Sequence, residues 1–211
     1  MAEFSRYEVY MLLNQPKPLW LSHLNLSGVD LRGVDLRGAT LIKADMTGTH
    51  LEGVDLREAN LGGATLQGSI IVGADLRKAN LRGANLRNCD LREANLAEAD
   101  LYEADLAGAN LLDANLGGAD LTNANLEKAE FPRSSLEGAV LKGANLAGAD
   151  LARTNFARAN VAGARFTNAR MFRTRLEGVD LTGAIGLAQS QLDSACGDRQ
   201  TRLPAGLNPG P

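Results

Sequence analysis

Aromatic residues make up only 4% of this 211-residue chain, and histidine occurs twice, at His23 and His50. So few rings suit a narrow interior built from aliphatic side chains, and the expectation is a core too slim for large aromatics. Two distant histidines assemble neither a nucleophile triad nor a metal cluster, and no phosphate-cradling glycine motif accompanies them. A non-enzymatic protein without cofactor or metal is therefore expected. The two cysteines, Cys89 and Cys196, are too few and too far apart for a disulfide framework or a zinc site. No basic-then-apolar leader opens the sequence, and no apolar run approaches the roughly 18 residues of a membrane span. These features point to a cytoplasmic protein that does not enter a membrane. A net charge of −3 is too small to name a partner.

What the chain does have is a period. Every fifth residue from Leu21 to Leu181 is Leu or another large apolar residue: Met46, Ile71, Phe131, Phe156, Val161, Phe166 and Met171 stand in for it. Two residues before each, from Val29 to Ala184, stands a small side chain, mostly Ala, with Cys89 among the exceptions. The run Ala79-Asn80-Leu81-Arg82-Gly83-Ala84-Asn85-Leu86 displays the pattern, and no insertion interrupts it.

A helix advances about 100° per residue and would smear leucines spaced by five around all its faces. A continuous strand alternates with period 2, so an odd repeat would send successive leucines to opposite sides. The chain must turn within every repeat. A short extended piece pointing Ala84 and Leu86 inward and Asn85 outward, followed by a corner at Arg87-Asn88, returns the next repeat to the same interior. Glycine recurs at the second corner position, as in Gly33, Gly53 and Gly83, where positive φ is expected.

Tandem A-[D/N]-L-x-x repeats of this kind resemble the pentapeptide-repeat proteins. The resemblance implies an all-β solenoid: a right-handed quadrilateral parallel β-helix of about eight coils, four repeats per coil, with residue n stacked on n+20. It also implies three regions. An N-terminal helical cap occupies 1–20, the repeat body 21–185, and a C-terminal helical cap and tail 186–211, whose end is similar to those of many bacterial members.

Each cap has its own signals. Ser5-Arg6-Tyr7-Glu8 reads as a capping box, placing a helix from about Arg6 to Leu13 with Tyr7, Tyr10, Met11 and Leu13 as its apolar side. Pro16 and Pro18 end it, and Trp20 is expected across the mouth of the body. Leu187 to Cys196 reads as a second short helix stopped by Gly197. Residues Thr201 to Leu207 are expected to fold back, and Asn208 to Pro211 to be mobile.

With no projecting loop, any function must lie on the body's surface or in the caps. Asp and Asn interchange before each Leu, so a structural role is expected for them rather than carboxylate chemistry. Charge is banded. Between Asn88 and Glu130 ten acids face only Arg92 and Lys128, whereas from Val140 to Arg175 basic residues dominate. Candidate partner-binding residues are Arg153, Arg158, Arg165, Arg170, Arg173, Arg175 and Phe172. Ile70, Val72 and Leu112 are candidate exposed apolar residues, Val72, Leu112, Pro132 and Phe172 falling on one face if n stacks on n+20. Solvated charges with weak pairing, or a surface for an anionic partner, both account for the arginines. The leading functional expectation is a scaffold or protein-interaction module, monomeric or paired end to end through its C terminus, with an unidentified protein partner. Direct nucleic-acid binding is not expected. The alternative, implied by the resemblance, is a DNA-mimicking inhibitor or protector of DNA gyrase. Such members are acidic, dimerise through the C-terminal end and often carry projecting loops, features that this weakly charged, uninterrupted chain mostly lacks.

Overall fold

The computed structural model describes residues 6–208, apart from the side chains of Arg6, Tyr7 and Tyr10. Its plan follows from one repeat. In Asp100-Leu101-Tyr102-Glu103-Ala104 all five backbone N–H groups have an acceptor. Leu101 N–H donates to the Asp120 carbonyl at 2.7 Å, and Glu103 N–H to the Thr122 carbonyl at 2.9 Å. Asp100 N–H donates in the opposite direction along the stack, to the Ala79 carbonyl at 3.0 Å. Ala104 N–H closes a turn on the Leu101 carbonyl at 3.0 Å. The fifth, Tyr102 N–H, donates to the Asp100 side-chain oxygen Oδ1 at 3.1 Å. A buried backbone group without a partner costs stability, so this closed set is what lets the chain stack layer upon layer.

The same set explains the Asp/Asn position. Only Oδ1 is used, and both residue types carry it, so an Asx turn holds each corner whichever is present. Glu130 is an informative departure. Two residues later stands Pro132, which has no N–H to satisfy, and Pro suits the second position of the turn.

Every fifth residue from His23 to Gly178 has positive φ, including sixteen residues that are not glycine. Positive φ at the third residue of a four-residue turn, and not at the second, marks the corners as type II. Glycine takes this conformation freely at Gly83 (φ 61°), whereas Glu103 takes it at φ 56° against its own preference.

The expected all-β solenoid requires correction. Among the described residues no β-strand and no sheet forms, and the regular elements are two short helices, α1 (Arg6–Leu13) and α2 (Gln189–Leu192). β-Pairing between adjacent layers is confined to isolated parallel bridges of single residues, such as Trp20↔Thr40 and Arg165↔Ile185. The reason is the corner itself. A positive φ at every fifth residue leaves one bridging residue per repeat, too little for a ladder of consecutive pairs, so a β-helix made of strands is not what this chain builds. The twenty-residue stacking is nevertheless present in the bridges.

The leucines and the small residues on either side of each bridge face inward, and nearly all are fully buried. Each buried leucine contributes about 1.5–3 kcal/mol of transfer free energy. Two inward columns carry hydroxyls instead of methyls. Ser69 Oγ donates to the Met46 carbonyl at 2.7 Å, and Thr154 and Thr174 donate to the Phe131 and Leu151 carbonyls at 2.7 Å, tying adjacent layers together. Cys89 occupies the same inward column as Ser69, with Sγ 2.9 Å from the Leu66 carbonyl, and burial pushes its thiol up to about 12. The interior is wider than the scarcity of rings suggests: Phe131, Phe156 and Phe166 are all buried within it.

At the N-terminal end Val9 is buried against the first layer and Leu12 and Leu13 pack on the core, while Met11 faces outward. Ser5 of the expected capping box lies outside the described residues, as do the tyrosine side chains assigned to the helix's apolar side. Trp20 is 78% exposed instead of covering the mouth. At the other end α2 is one turn long, shorter than expected, because residues after it pair with the last layer. Arg173 N–H donates to the Ser194 carbonyl at 2.6 Å, Leu176 N–H to Cys196 at 2.7 Å, and Leu181 N–H to Arg202 at 2.7 Å. Buried Gln191 donates through Nε2 to the Phe166 and Ala169 carbonyls, each at 2.8 Å. Asn208, expected to be mobile, exchanges two hydrogen bonds with the Gln189 side chain at 3.0 Å. Residues 209–211 lie outside the described residues.

Candidate functional site

The six candidate arginines are all exposed, and they do not form one patch. Arg165, Arg170 and Arg175 bridge to Asn145, Asp150 and Asn155 on three different sides of the ring. Arg170 Nη1 pairs with Asp150 at 3.0 Å and Arg175 Nε with Glu177 at 3.1 Å. Arg158, on another corner, pairs with Glu137. Among the described residues no acid pairs with Arg153, Arg165 or Arg173.

One corner does gather several candidates. Arg133 stacks on Asp113, its Nε donating to Oδ1 at 2.8 Å, and holds that carboxyl below its ordinary range. Arg153 N–H donates to the Phe172 carbonyl at 2.8 Å, and Arg133 N–H to the Ala152 carbonyl at 3.1 Å. These bonds fix two adjacent columns, Asp113–Arg133–Arg153–Arg173 and Leu112–Pro132–Ala152–Phe172. Leu112, Pro132 and Ala152 are half-buried, and Phe172 is 51% exposed with the Arg173 guanidinium 5.3 Å from its ring centre. Arg170 and Arg175, each already paired, flank this corner.

The apolar column does not continue upward without a break. Arg92 stands between Val72 and Leu112, held by Asp90 through two hydrogen bonds of 2.7 and 2.6 Å. Ile70 and Val72, both half-buried, are thus separated from the lower stripe. The contribution of Ala152 to it was not legible in composition, since alanine counts as apolar surface only when its column neighbours are known.

The acidic band is spread round the ring. Asp90 and Glu130 share one bridging column, Asp100 and Asp120 a second, and Asp105 lies on a third. Several are already neutralised, Asp100 by Arg82 at 3.1 Å and Asp105 by Arg87 at 3.0 Å. Further up, Asp55 pairs with Arg57 at 2.6 Å, and Arg57 reaches Asp75 in the next layer at 3.6 Å. Hydrogen bonding to Arg57 lowers the Asp55 carboxyl to about 2. The same geometry with Arg32 holds Asp30 far below the usual carboxylate range. Exposed pairs of this kind contribute about 0–1 kcal/mol each.

Among the described residues no group of His, Cys, Asp and Glu is placed to hold a metal ion, and no helix is long and apolar enough to cross a membrane. A pocket of about 460 Å³ at the N-terminal end is lined by Leu12, Gln15, Pro16, Lys17, Pro18, Leu19, Trp20 and Leu21. Lys17 there is paired with Asp35, and no set of converging catalytic groups lines it.

The model of the pentapeptide-repeat family matches the chain in eight copies, in overlapping stretches that run from 21–58 through to 149–185. No curated protein matches the sequence. HetL, a pentapeptide repeat protein involved in heterocyst differentiation regulation in the cyanobacterium Nostoc, is a similar solved structure. It is 29% identical over 97% of this chain and 93% of its own, with a TM-score of 0.44. A pentapeptide repeat protein of the Arabidopsis thaliana thylakoid lumen is 37% identical over 46% of this chain and 68% of its own, TM-score 0.45. The plasmid-mediated fluoroquinolone resistance protein QnrB1 is 17% identical over 81% of this chain and 92% of its own. Its TM-score of 0.53 shows a shared fold and nothing of function. The chain belongs to the pentapeptide-repeat family.

Proposed function

We propose that this protein is a scaffold or interaction module that presents a rigid surface to a protein partner, and that the partner docks at the corner carrying Phe172, Arg153 and Arg173. The observation that supports this is the half-exposed Phe172 ring under an arginine without an acid partner, on a body whose other arginines are mostly neutralised. Aromatic and arginine side chains are the residue types that dominate binding energy at interfaces. The last layer's backbone groups are taken up by residues 194–202 of the same chain, which supports a monomer over pairing through the C-terminal end. The acids are spread over several sides and partly paired, which favours this reading over a DNA mimic presenting one acidic face.

Affinity capture from the native cell extract tests it. Wild type and a Phe172→Ala/Arg153→Glu/Arg173→Glu variant of unchanged melting temperature are compared. A protein retained by the first and lost by the second is expected. Identical retention by both would remove this corner from consideration. Inhibition of gyrase supercoiling by micromolar protein would restore the DNA-mimic alternative.

A further inference from the structure

Resting on that reading, we infer that the partner segment is an acidic amphipathic α-helix lying along the body axis, its apolar side on the stripe of Leu112, Pro132, Ala152 and Phe172. Carboxylates on its flank then reach Arg153 and Arg173.

Three properties of the corner support this choice. The first is spacing. Layers joined by parallel backbone bonds repeat at about 4.8 Å, so the stripe from Leu112 to Phe172 spans three steps, about 14 Å. A helix presents apolar residues on one side once per turn, about every 5.4 Å, which accumulates a mismatch of only about 2 Å over three turns. An extended peptide presents same-side residues about every 6.7 Å and falls between layers after a single step.

The second is the backbone. A strand added to an edge needs unpaired N–H and C=O groups. Along this corner the carbonyls are already taken: Asp113 N–H donates to the Pro132 carbonyl at 3.1 Å, Arg133 to Ala152 at 3.1 Å and Arg153 to Phe172 at 2.8 Å. Binding must therefore come from side chains, as it does when a helix lies in a groove.

The third is charge. Arg153 and Arg173 stand one layer apart, so carboxylates one helical turn apart match them. On the flanking column Glu130 is exposed near Pro132, while Asp150 is consumed by Arg170. The attraction is thus concentrated at the Phe172 end of the stripe. Two guanidinium groups and one ring are a poor complement to a polynucleotide, whose binding rests on several phosphate contacts and repeated stacking.

The test is selection of binders from a displayed library of random peptides of about 16 residues, long enough for four helical turns. Full-length protein is the bait, and the Phe172→Ala/Arg153→Glu/Arg173→Glu variant serves for counter-selection. Enriched sequences with apolar residues at i, i+3 or i+4 and i+7, and acids three or four residues apart, are expected. A representative peptide should gain helical circular dichroism on binding and lose at least tenfold in affinity to the variant. Replacing its acids by Lys should restore binding to Arg153→Glu/Arg173→Glu. Enrichment of period-2 or acid-free sequences, absence of enrichment, or equal affinity for the variant would each overturn the inference. So would displacement of the peptide by single- or double-stranded DNA of similar length. Native capture that still depends on Phe172 in any of those cases would leave the interaction module standing and reject only the helical partner.

Discussion

The rings of Phe156 and Phe166 meet edge to face, with centroids 6.3 Å apart and planes at 64°. They are ten residues apart in a body that returns every twenty, so they come from opposite sides of the ring and meet through its interior. Edge-to-face pairs contribute about 0.5–1.5 kcal/mol beyond the area they bury. Phe156→Ala is expected to cost about 3–5 kcal/mol, read as a lowered midpoint in urea unfolding. Phe156→Leu restores the residue of neighbouring repeats and is expected to cost less. Equal costs would mean that the rings do not pack on each other.

The Asx turn makes a second prediction. Asp120 Oδ1 accepts from Thr122 N–H at 2.9 Å. Asp120→Asn keeps that oxygen and should leave the midpoint nearly unchanged, whereas Asp120→Ala should lose about 0.5–1.5 kcal/mol. Glu130→Asp is the control: with Pro132 two residues on, no N–H awaits the shortened carboxylate, and no gain is expected.

Glu103 is exposed, with φ at 56°. A left-handed conformation costs a residue with a Cβ roughly 1–2 kcal/mol, and the greater freedom of unfolded glycine returns part of that. Glu103→Gly is therefore expected to raise stability by up to about 1 kcal/mol. Gly83→Val, placing a β-branched residue at φ 61°, is expected to lower it by more. A destabilised Glu103→Gly in thermal unfolding would show that the turn strain is compensated elsewhere.

Acid should probe the arginine-aspartate stack of the upper layers. The folded carboxyl of Asp55 lies at about 2, below its ordinary value of 3.8. A lowered folded value contributes stability that is fully present above the unfolded value near 4 and is lost as pH falls through about 2. The Asp55→Asn variant should accordingly show a shallower loss of stability between pH 4 and 2 than the wild type. Parallel curves for the two in acid titration would remove this pair from the acid response.

The leucine period was enough to exclude a continuous helix and a continuous strand and to require a turn in each repeat. Its inward assignments hold because a side chain's hydrophobicity is a property of the residue alone. The function of the Asp/Asn position was less legible. Interchange of acid and amide pointed to structure, but only the Oδ1 bond to the N–H two residues on says what that structure is. The extent of bridging is not legible in the period: the resemblance implies a parallel β-helix, whereas a left-handed corner at every fifth residue limits each extended piece to a single bridge.

The candidate site shows the same division. Arg165, Arg170 and Arg175 stand out in the sequence because they replace Asp or Asn in succession, yet successive repeats turn them to different sides. Arg153, Phe172 and Arg173 come together because residues nineteen or twenty apart are layer neighbours, joined by bonds such as that from Arg153 N–H to the Phe172 carbonyl. Which side chains face inward was determined by the sequence itself, through a period that repeats every five residues. Which outward residues share a surface, and which charges remain without a partner, was decided only by the stacking of layers, because those contacts join residues far apart in the chain.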